Sequence, residues 1–369
     1  MVGIGVVALL AAGAVLRLAL TPLSPPPVIT AFRDYPKVQG TSRGTAPHAL
    51  TPAVAKSRDT ARRVPTLPER EASPAPAALL AAAGADISGP QLKVVDYRSI
   101  EMARVGRSIS LKYRASRYYA LSAGKKLAES GKPLKVMPVS GEALALADFT
   151  DLNWNKSVNL NLFRGSLELV RSEKTGKLWV VNELSVEDYV AGVSEASADA
   201  PTEHLKVIAD IARSYAWWHL ARGGRHPGEP FHLKNSRAGN GDDQIYQGYL
   251  AETRLPRYAA SARATAGEVV TYNGQPVITP YSTRASGRTR SPAEALWKVD
   301  WPWVVSVPDP DTAGMTRLGH GVGLSGYGSR KRAERGASHQ DILKYYFPGT
   351  GLGAVDSSKA TIRIAMYSL

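Results

Sequence analysis

Residues 185–220 read SVEDYVAGVSEASADAPTEHLKVIADIARSYAWWHL, and the class of the fold is decided here. Ser185 followed three positions on by Asp188 has the form of a capping box. It predicts a helix over 186–193, closed by a short Ser/Ala loop that holds Glu195. A second helix is expected to start around Pro201-Thr202, with helical periodicity over 203–219. Its apolar stripe is Leu205, Ile208, Ala209, Ala212 and Ala216. Arg213 lies on or beside that stripe. A guanidinium cannot shed its proton, so it must find an acceptor there, and Glu195 is a candidate. The pattern alone favours a plainer reading, in which Glu195 is solvated and Arg213 snorkels.

On either side of these helices the texture is that of β-structure. LKVVDYR, SISLKYRA, KPLKVMPVS, VNLNLFRGSLELVRS and KLWVVNEL, all between residues 92 and 184, cluster β-formers between Gly, Asn and Lys turns. Strand signals return in GEVVTYNGQPVITPYSTRASG, where Asn273-Gly274 marks a hairpin. A last helix is expected near 338–346, ending at Pro348-Gly349. The fold class is therefore α+β: antiparallel β-rich parts with a few helices, in one domain over 91–355. Residues 356–369 are read as a C-terminal tail.

What precedes residue 91 differs in kind. Residues 1–16 are an uncharged apolar run, continued as RLALTPL to residue 23. No Lys or Arg precedes it and Arg17 interrupts it, so an uncleaved N-terminal anchor is favoured over a cleaved signal. Residues 24–90 form a Pro/Ala-rich linker: 12 of the chain's 25 prolines fall within 22–90, too many for regular structure. This segment is expected to be a disordered stalk, with a short helix in the Ala run 77–85. An extracytoplasmic envelope protein, held to the membrane by its N-terminal segment, is the expectation.

Composition narrows the chemistry further. The chain of 369 residues has no cysteine, which removes every thiol nucleophile, disulfide framework and Cys-based metal site. The net charge is +14, of which +4 belongs to residues 1–90 and +10 to the remainder. Such a surface suits an acidic polymer, an anionic membrane or nucleic acid equally. No nucleic-acid-reading motif accompanies it, and no nucleic-acid partner is assigned.

Five segments in order carry a specific resemblance: VNELSVEDYVAGVSE, Ala212-Arg213-Ser214-Tyr215, Gln244-Ile245-Tyr246-Gln247-Gly248, YSTRASGRT and GHGVGLSGYGS. Together they resemble the stage II sporulation protein D / LytB domain family over roughly residues 91–352. Its sporulation members are membrane-anchored lytic transglycosylases of peptidoglycan, and others are described as enhancers of a cell-wall amidase. The resemblance implies Glu195 as the catalytic acid and Arg213 as a second catalytic position. As substrate-binding residues it implies Tyr246, Tyr281, Ser282, Ser286, Gly287, Arg288, His320, Ser325 and Tyr327. Where some members carry a Cys/His cluster, this chain offers only His226, His232 and Asp242, so no metal and no cofactor are assigned.

The implied chemistry is physically coherent. A carboxylic acid of raised pKa can protonate the leaving oxygen beside N-acetylmuramic acid. The sugar's own 6-hydroxyl then closes on the anomeric carbon, so no second carboxylate is needed as in ordinary glycosidases. Such an intramolecular attack is worth about 7–11 kcal/mol when well oriented. A cation close to the acid would lower its pKa, so Arg213 is expected to orient Glu195 from some distance. Trp217, Trp218, Trp297, Trp301 and Trp303 are candidate sugar-stacking residues, although tryptophans serve more often in cores. The alternative function is a non-catalytic wall-binding protein that stimulates a separate amidase, and a third is a water-using hydrolase.

Overall fold

The computed structural model describes residues 91–97, 109–122, 125–138, 143–146, 158–193, 195–236, 243–357 and 359–369. The expected anchor, the stalk and the Ala run 77–85 lie outside the described residues, as does Asp242. Among the described residues no helix is long and apolar enough to cross a membrane.

The α+β class holds. A six-stranded antiparallel sheet runs in the order Lys125–Ser130, Arg117–Ser122, Ile109–Arg114, Gln91–Tyr97, Ala143–Leu146 and Leu162–Phe163. A five-stranded sheet follows, in the order Leu233–Lys234, Thr361–Ser368, Leu178–Ser185, Ser166–Arg171 and Lys135–Val136. Residues 356–369 are thus no tail. Thr361–Ser368 pairs antiparallel with Leu178–Ser185 and parallel with Leu233–Lys234. Ile362, Ile364, Ala365 and Met366 are all buried there.

Among the described residues six α-helices complete the fold: α1 (Val186–Gly192), α2 (Thr202–Leu220), α3 (Tyr249–Arg254), α4 (Pro256–Ala264), α5 (Gly326–Glu334) and α6 (His339–Tyr346). Ser185 caps α1 as expected, its Oγ accepting from the Asp188 amide at 3.0 Å. Ser338 caps α6 in the same way. The sequence reading missed α3, α4 and α5. In α5 the glycines that suggest a loop instead begin a helix behind the Ser325 cap. Gly328 has no room for a side chain because Asp309 and Tyr346 press on its Cα.

α2 is the organising element. It is buried on nearly every side, because Val207, Asp210, Ile211, Arg213 and Ser214 are covered as completely as the expected apolar stripe. Its polar members are satisfied by neighbours: the Val270 amide donates to Ser214 Oγ at 2.8 Å, and Thr279 Oγ1 donates to the Ile211 carbonyl at 3.1 Å. The Val270 bond ties α2 to the strand Glu268–Tyr272, which pairs with Thr350–Ala354 and turns at Asn273-Gly274. Both turn residues have positive φ, 50° and 73°, as a two-residue hairpin of this type requires.

Candidate functional site

Glu195 is placed by the way α1 ends. Gly192 closes the helix where the Tyr246 ring leaves no space for a Cβ. Val193 then turns extended and bridges antiparallel to Tyr246, while the Gln247 amide donates to the Gly192 carbonyl at 2.9 Å. The chain from 193 therefore runs beside 244–247. The Ile245 amide meets the Glu195 carboxyl, donating to Oε1 at 2.8 Å.

The other carboxyl oxygen takes a hydrogen bond from the Tyr281 hydroxyl. That hydroxyl accepts from Gln244 Nε2 at 3.1 Å, and Gln244 Oε1 accepts from the Tyr189 hydroxyl at 3.0 Å. A directed chain of donors, Tyr189 to Gln244 to Tyr281, thus ends on Glu195. Glu195 itself is only 9% exposed. Burial dominates its titration and pushes the carboxyl up to about 7, against the opposing pull of the Ile245 amide. A carboxyl has about four lone-pair sites, so two accepted bonds leave room for its own proton.

Arg213 does not reach this acid. Its Nε and Nη2 fork onto both oxygens of Glu187, each at 2.9 Å, and further bonds go to the carbonyls of Ala262 and Glu268. The guanidinium is wholly buried. The expected pairing with Glu195 is therefore corrected to Glu187, and Arg213 ties α1, α2, α4 and the strand Glu268–Tyr272 together.

The segments 281–290 and 318–325 interlock. Tyr281–Ser282 pairs parallel with Leu324–Ser325, the Gly321 amide donates to Ser282 Oγ at 3.2 Å, and the Arg290 amide donates to the Gly321 carbonyl at 2.8 Å. Gly323, at φ 73°, passes against the Pro280 carbonyl where any Cβ would collide. The effect is to bring the GHGVGLS loop onto the strand that presents Tyr281 to Glu195.

Three expected substrate contacts are buried instead. Tyr246 is 1% exposed, packed near Phe163 and Tyr189, with its hydroxyl donating to Asn182 Oδ1 at 2.9 Å. Ser325 is spent capping α5, and Ser282 on the Gly321 amide. Ser286 and Arg288 are exposed and Gly287 is half-buried; the Arg288 fork is held by Ser306. His320 and Tyr327 are half-buried. Burial lowers the His320 pKa to about 4, and its Nδ1 accepts from the Val322 amide at 2.9 Å, which leaves Nε2–H as a neutral donor.

Among the tryptophans, Trp217 and Trp303 belong to the core, and the Arg222 guanidinium lies 3.2 Å over Trp218. Trp297 and Trp301 are half-buried, and the Trp297 ring stands 4.9 Å from His320. Leu296 beside it is 88% exposed. The loose histidine set does not converge: His226 Nε2 bonds Asp243 at 2.7 Å, whereas His232 Nδ1 accepts from the Arg363 amide. Sequence reasoning missed Gln244, Ile245 and Tyr189 as supports of the acid. The signal was present, since Gln244-Ile245 stands in the same motif as Tyr246.

A profile of SpoIID, stage II sporulation protein, matches residues 174–272. Among curated proteins, an uncharacterized protein of Brachyspira hyodysenteriae is 33% identical over 148 residues, covering 39% of this chain and 37% of that protein. Stage II sporulation protein D of Bacillus subtilis is 23% identical over 270 residues, covering 48% of this chain and 77% of the relative. An amidase enhancer of Bacillus subtilis is 59% identical over 34 residues, covering 9% and 5%. The chain thus spans little more than a third of the Brachyspira relative. The matched span contains α1, α2, Glu195 and the Gln244-Ile245 amide that holds it, so the likeness to the SpoIID family falls on the acid and its support.

Proposed function

We propose that this protein acts on the bacterial cell wall as a peptidoglycan lytic transglycosylase with Glu195 as its acid and base. One observation carries the reading: a nearly buried carboxyl, raised to about 7 and held by one amide and one tyrosine hydroxyl. That poise suits a group that must give up a proton and take one back near neutral pH. The relatives named for sporulation and for amidase enhancement support the cell wall as the setting.

In the proposed reaction, protonated Glu195 gives its proton to the oxygen leaving the anomeric carbon of N-acetylmuramic acid, and that C–O bond breaks. The carboxylate so formed takes the proton of the sugar's 6-hydroxyl as its oxygen bonds the anomeric carbon. No water is consumed, and Glu195 ends protonated as it began. Tyr281 steadies the carboxylate between the two transfers. His320 Nε2–H, Trp297 and Trp301 offer a donor and aromatic faces for the glycan. The scattered positive charge suits its acidic stems.

The test is mass spectrometry of purified glycan strands, with and without stem peptides, after incubation with the full chain. New 1,6-anhydromuramyl ends that vanish with Glu195→Gln are expected. Equal activity in that variant would end the proposal. The second reading, a non-catalytic binder that stimulates an amidase, draws on the 59% identity to an amidase enhancer. It expects strands to be retained with no new ends.

A further inference from the structure

Away from Glu195, three elements distant in sequence turn metal-binding side chains toward one point. Asp210 comes from α2, Glu268 from the first position of the strand Glu268–Tyr272, and His339 from the first turn of α6. One ligand atom from each lies within 4.8 Å of the other two. The three residues share no hydrogen bond with the Tyr189–Gln244–Tyr281 relay.

The hydrogen bonding singles out this point. Asp210 Oδ2, Glu268 Oε2 and His339 Nε2 are each buried without a hydrogen-bond partner among the described residues. Asp210 is completely buried, and an unpartnered carboxylate oxygen there is costly. A simple ion pair with protonated His339 does not relieve it. Nε2 stands 3.4 Å from Glu268 Oε2 without forming a bond, and Asp210 Oδ2 would still lack a partner.

The histidine is prepared from behind. Glu203 Oε2 lies 2.8 Å from His339 Nδ1 and also accepts the His339 amide at 2.8 Å. A carboxylate on one ring nitrogen fixes the tautomer, turning the lone pair of the other nitrogen toward a metal, as in carboxylate–histidine–zinc arrangements. The 3.4 Å between Nε2 and Oε2 is about the separation of two ligands ~2.1 Å from one tetrahedral ion.

Two cations already stand beside the acids, Arg213 on Asp210 Oδ1 and Lys206 on Glu203, and neither bonds Asp210 Oδ2, Glu268 Oε2 or His339 Nε2. The Glu268 side chain is 37% exposed, so the cluster lies near the surface although its three ligand atoms are covered.

We propose that Asp210, Glu268 and His339 form a divalent metal site of the zinc type that pins α6 to α2 and to the strand Glu268–Tyr272, with Glu203 as its positioning residue. The imidazole and two carboxylates are ligands zinc accepts.

The experiment uses the tag-free full chain, stripped with a chelator and dialysed, and titrates zinc ions against a chromophoric competitor. One zinc per chain is expected, with the thermal midpoint rising by roughly 5 °C when zinc is saturating. Asp210 is too deeply placed for a clean variant, so Glu268→Gln and His339→Gln carry the test. Each should weaken zinc binding at least ~10-fold, and Glu203→Gln ~10–100-fold, whereas Glu195→Gln should bind as the unaltered protein does. Failure of the unaltered chain to take up one equivalent would overturn the site, and so would equal affinity in Glu268→Gln and His339→Gln. Because Glu195→Gln is expected to keep zinc while losing glycan cleavage, this result stands or falls apart from the proposed activity.

Discussion

The Arg213 guanidinium meets both carboxylate oxygens of Glu187 at 2.9 Å, joining α2 to α1 in a bidentate pair that is fully buried on the arginine side. The same carboxylate accepts the Gly267 amide at 3.1 Å and the Ser357 hydroxyl. These partners, led by the Arg213 bond, hold the Glu187 pKa below its ordinary value despite burial. Removing one member of such a pair leaves an uncompensated buried charge and costs about 3–5 kcal/mol. Arg213→Met is therefore expected to lower stability by that amount in denaturant unfolding. The pH dependence of any remaining activity should not move, because Arg213 does not touch Glu195. A stable variant with a displaced pH profile would restore the orienting role read from the sequence.

The raised pKa of Glu195 makes a linked prediction about stability. The folded carboxyl titrates near 7 instead of 4.5, so between those values the folded state holds a proton that the unfolded state has lost. Stability conferred on the neutral form is present below pH 4.5 and is lost as pH rises through 7. Glu195→Gln carries no such proton. Its stability relative to the unaltered chain should improve by up to ~3 kcal/mol between pH 4.5 and pH 8. Parallel pH–stability curves for the two proteins would show that the acid is not perturbed.

Tyr281 acts on the same carboxyl from the opposite side to burial. Its hydroxyl donates to Oε2, and donation to a charged group is worth ~1.5–3 kcal/mol. Tyr281→Phe leaves the ring and takes away that donor, so the Glu195 pKa should climb by about one unit or more. The alkaline limb of kcat/KM against pH is then expected to move up by the same amount, with a lower rate from a less steadied carboxylate. An unmoved limb would separate Tyr281 from the acid.

How much of this was legible follows from what each feature depends on. The α1–loop–α2 unit was readable because its caps and apolar spacing are local, and Glu195 could be placed in the loop between them. The partner of Arg213 was not: Glu187 sits on another helix, and which acid it meets depends on how α1 and α2 cross. Tyr246 read as a contact residue because a motif gives its type and order, not which face turns inward. In α5, Gly326 and Gly328 have poor helix propensity, yet Gly328 is required by the close approach of Asp309 and Tyr346. The 361–368 strand did carry a signal, the alternation of Ile362, Ile364 and Met366. Its position at the chain's end masked it.

Leu296 has φ 61° and stands 88% exposed beside Trp297. A left-handed conformation costs a branched side chain roughly 1–2 kcal/mol, some of which glycine would return as chain entropy. Leu296→Gly is thus expected to stabilise the fold by roughly 0.5–1 kcal/mol. If Leu296 and Trp297 together form a face for the glycan, the same variant should co-sediment less with cell-wall sacculi. Greater stability with undiminished sedimentation would remove this edge from the binding surface.

The last strand sets a limit on truncation. Thr361–Ser368 lies between Leu178–Ser185 and Leu233–Lys234 in the five-stranded sheet, and its loss would leave both without a neighbour on that side. Ile362, Ile364 and Met366 are buried at 0%, 0% and 4% exposure, each worth ~1.5–3 kcal/mol. Arg363, from the same strand, bonds both Glu168 and Glu183, and without it Lys135 would be left to balance two carboxylates inside the sheet. Together these losses rival the ~5–15 kcal/mol that stabilises a typical domain. A chain ending at residue 355 is therefore expected to lose cooperative unfolding and to be rapidly proteolysed. An intact, sharp thermal transition in that shortened chain would show that the sheet closes without its last strand.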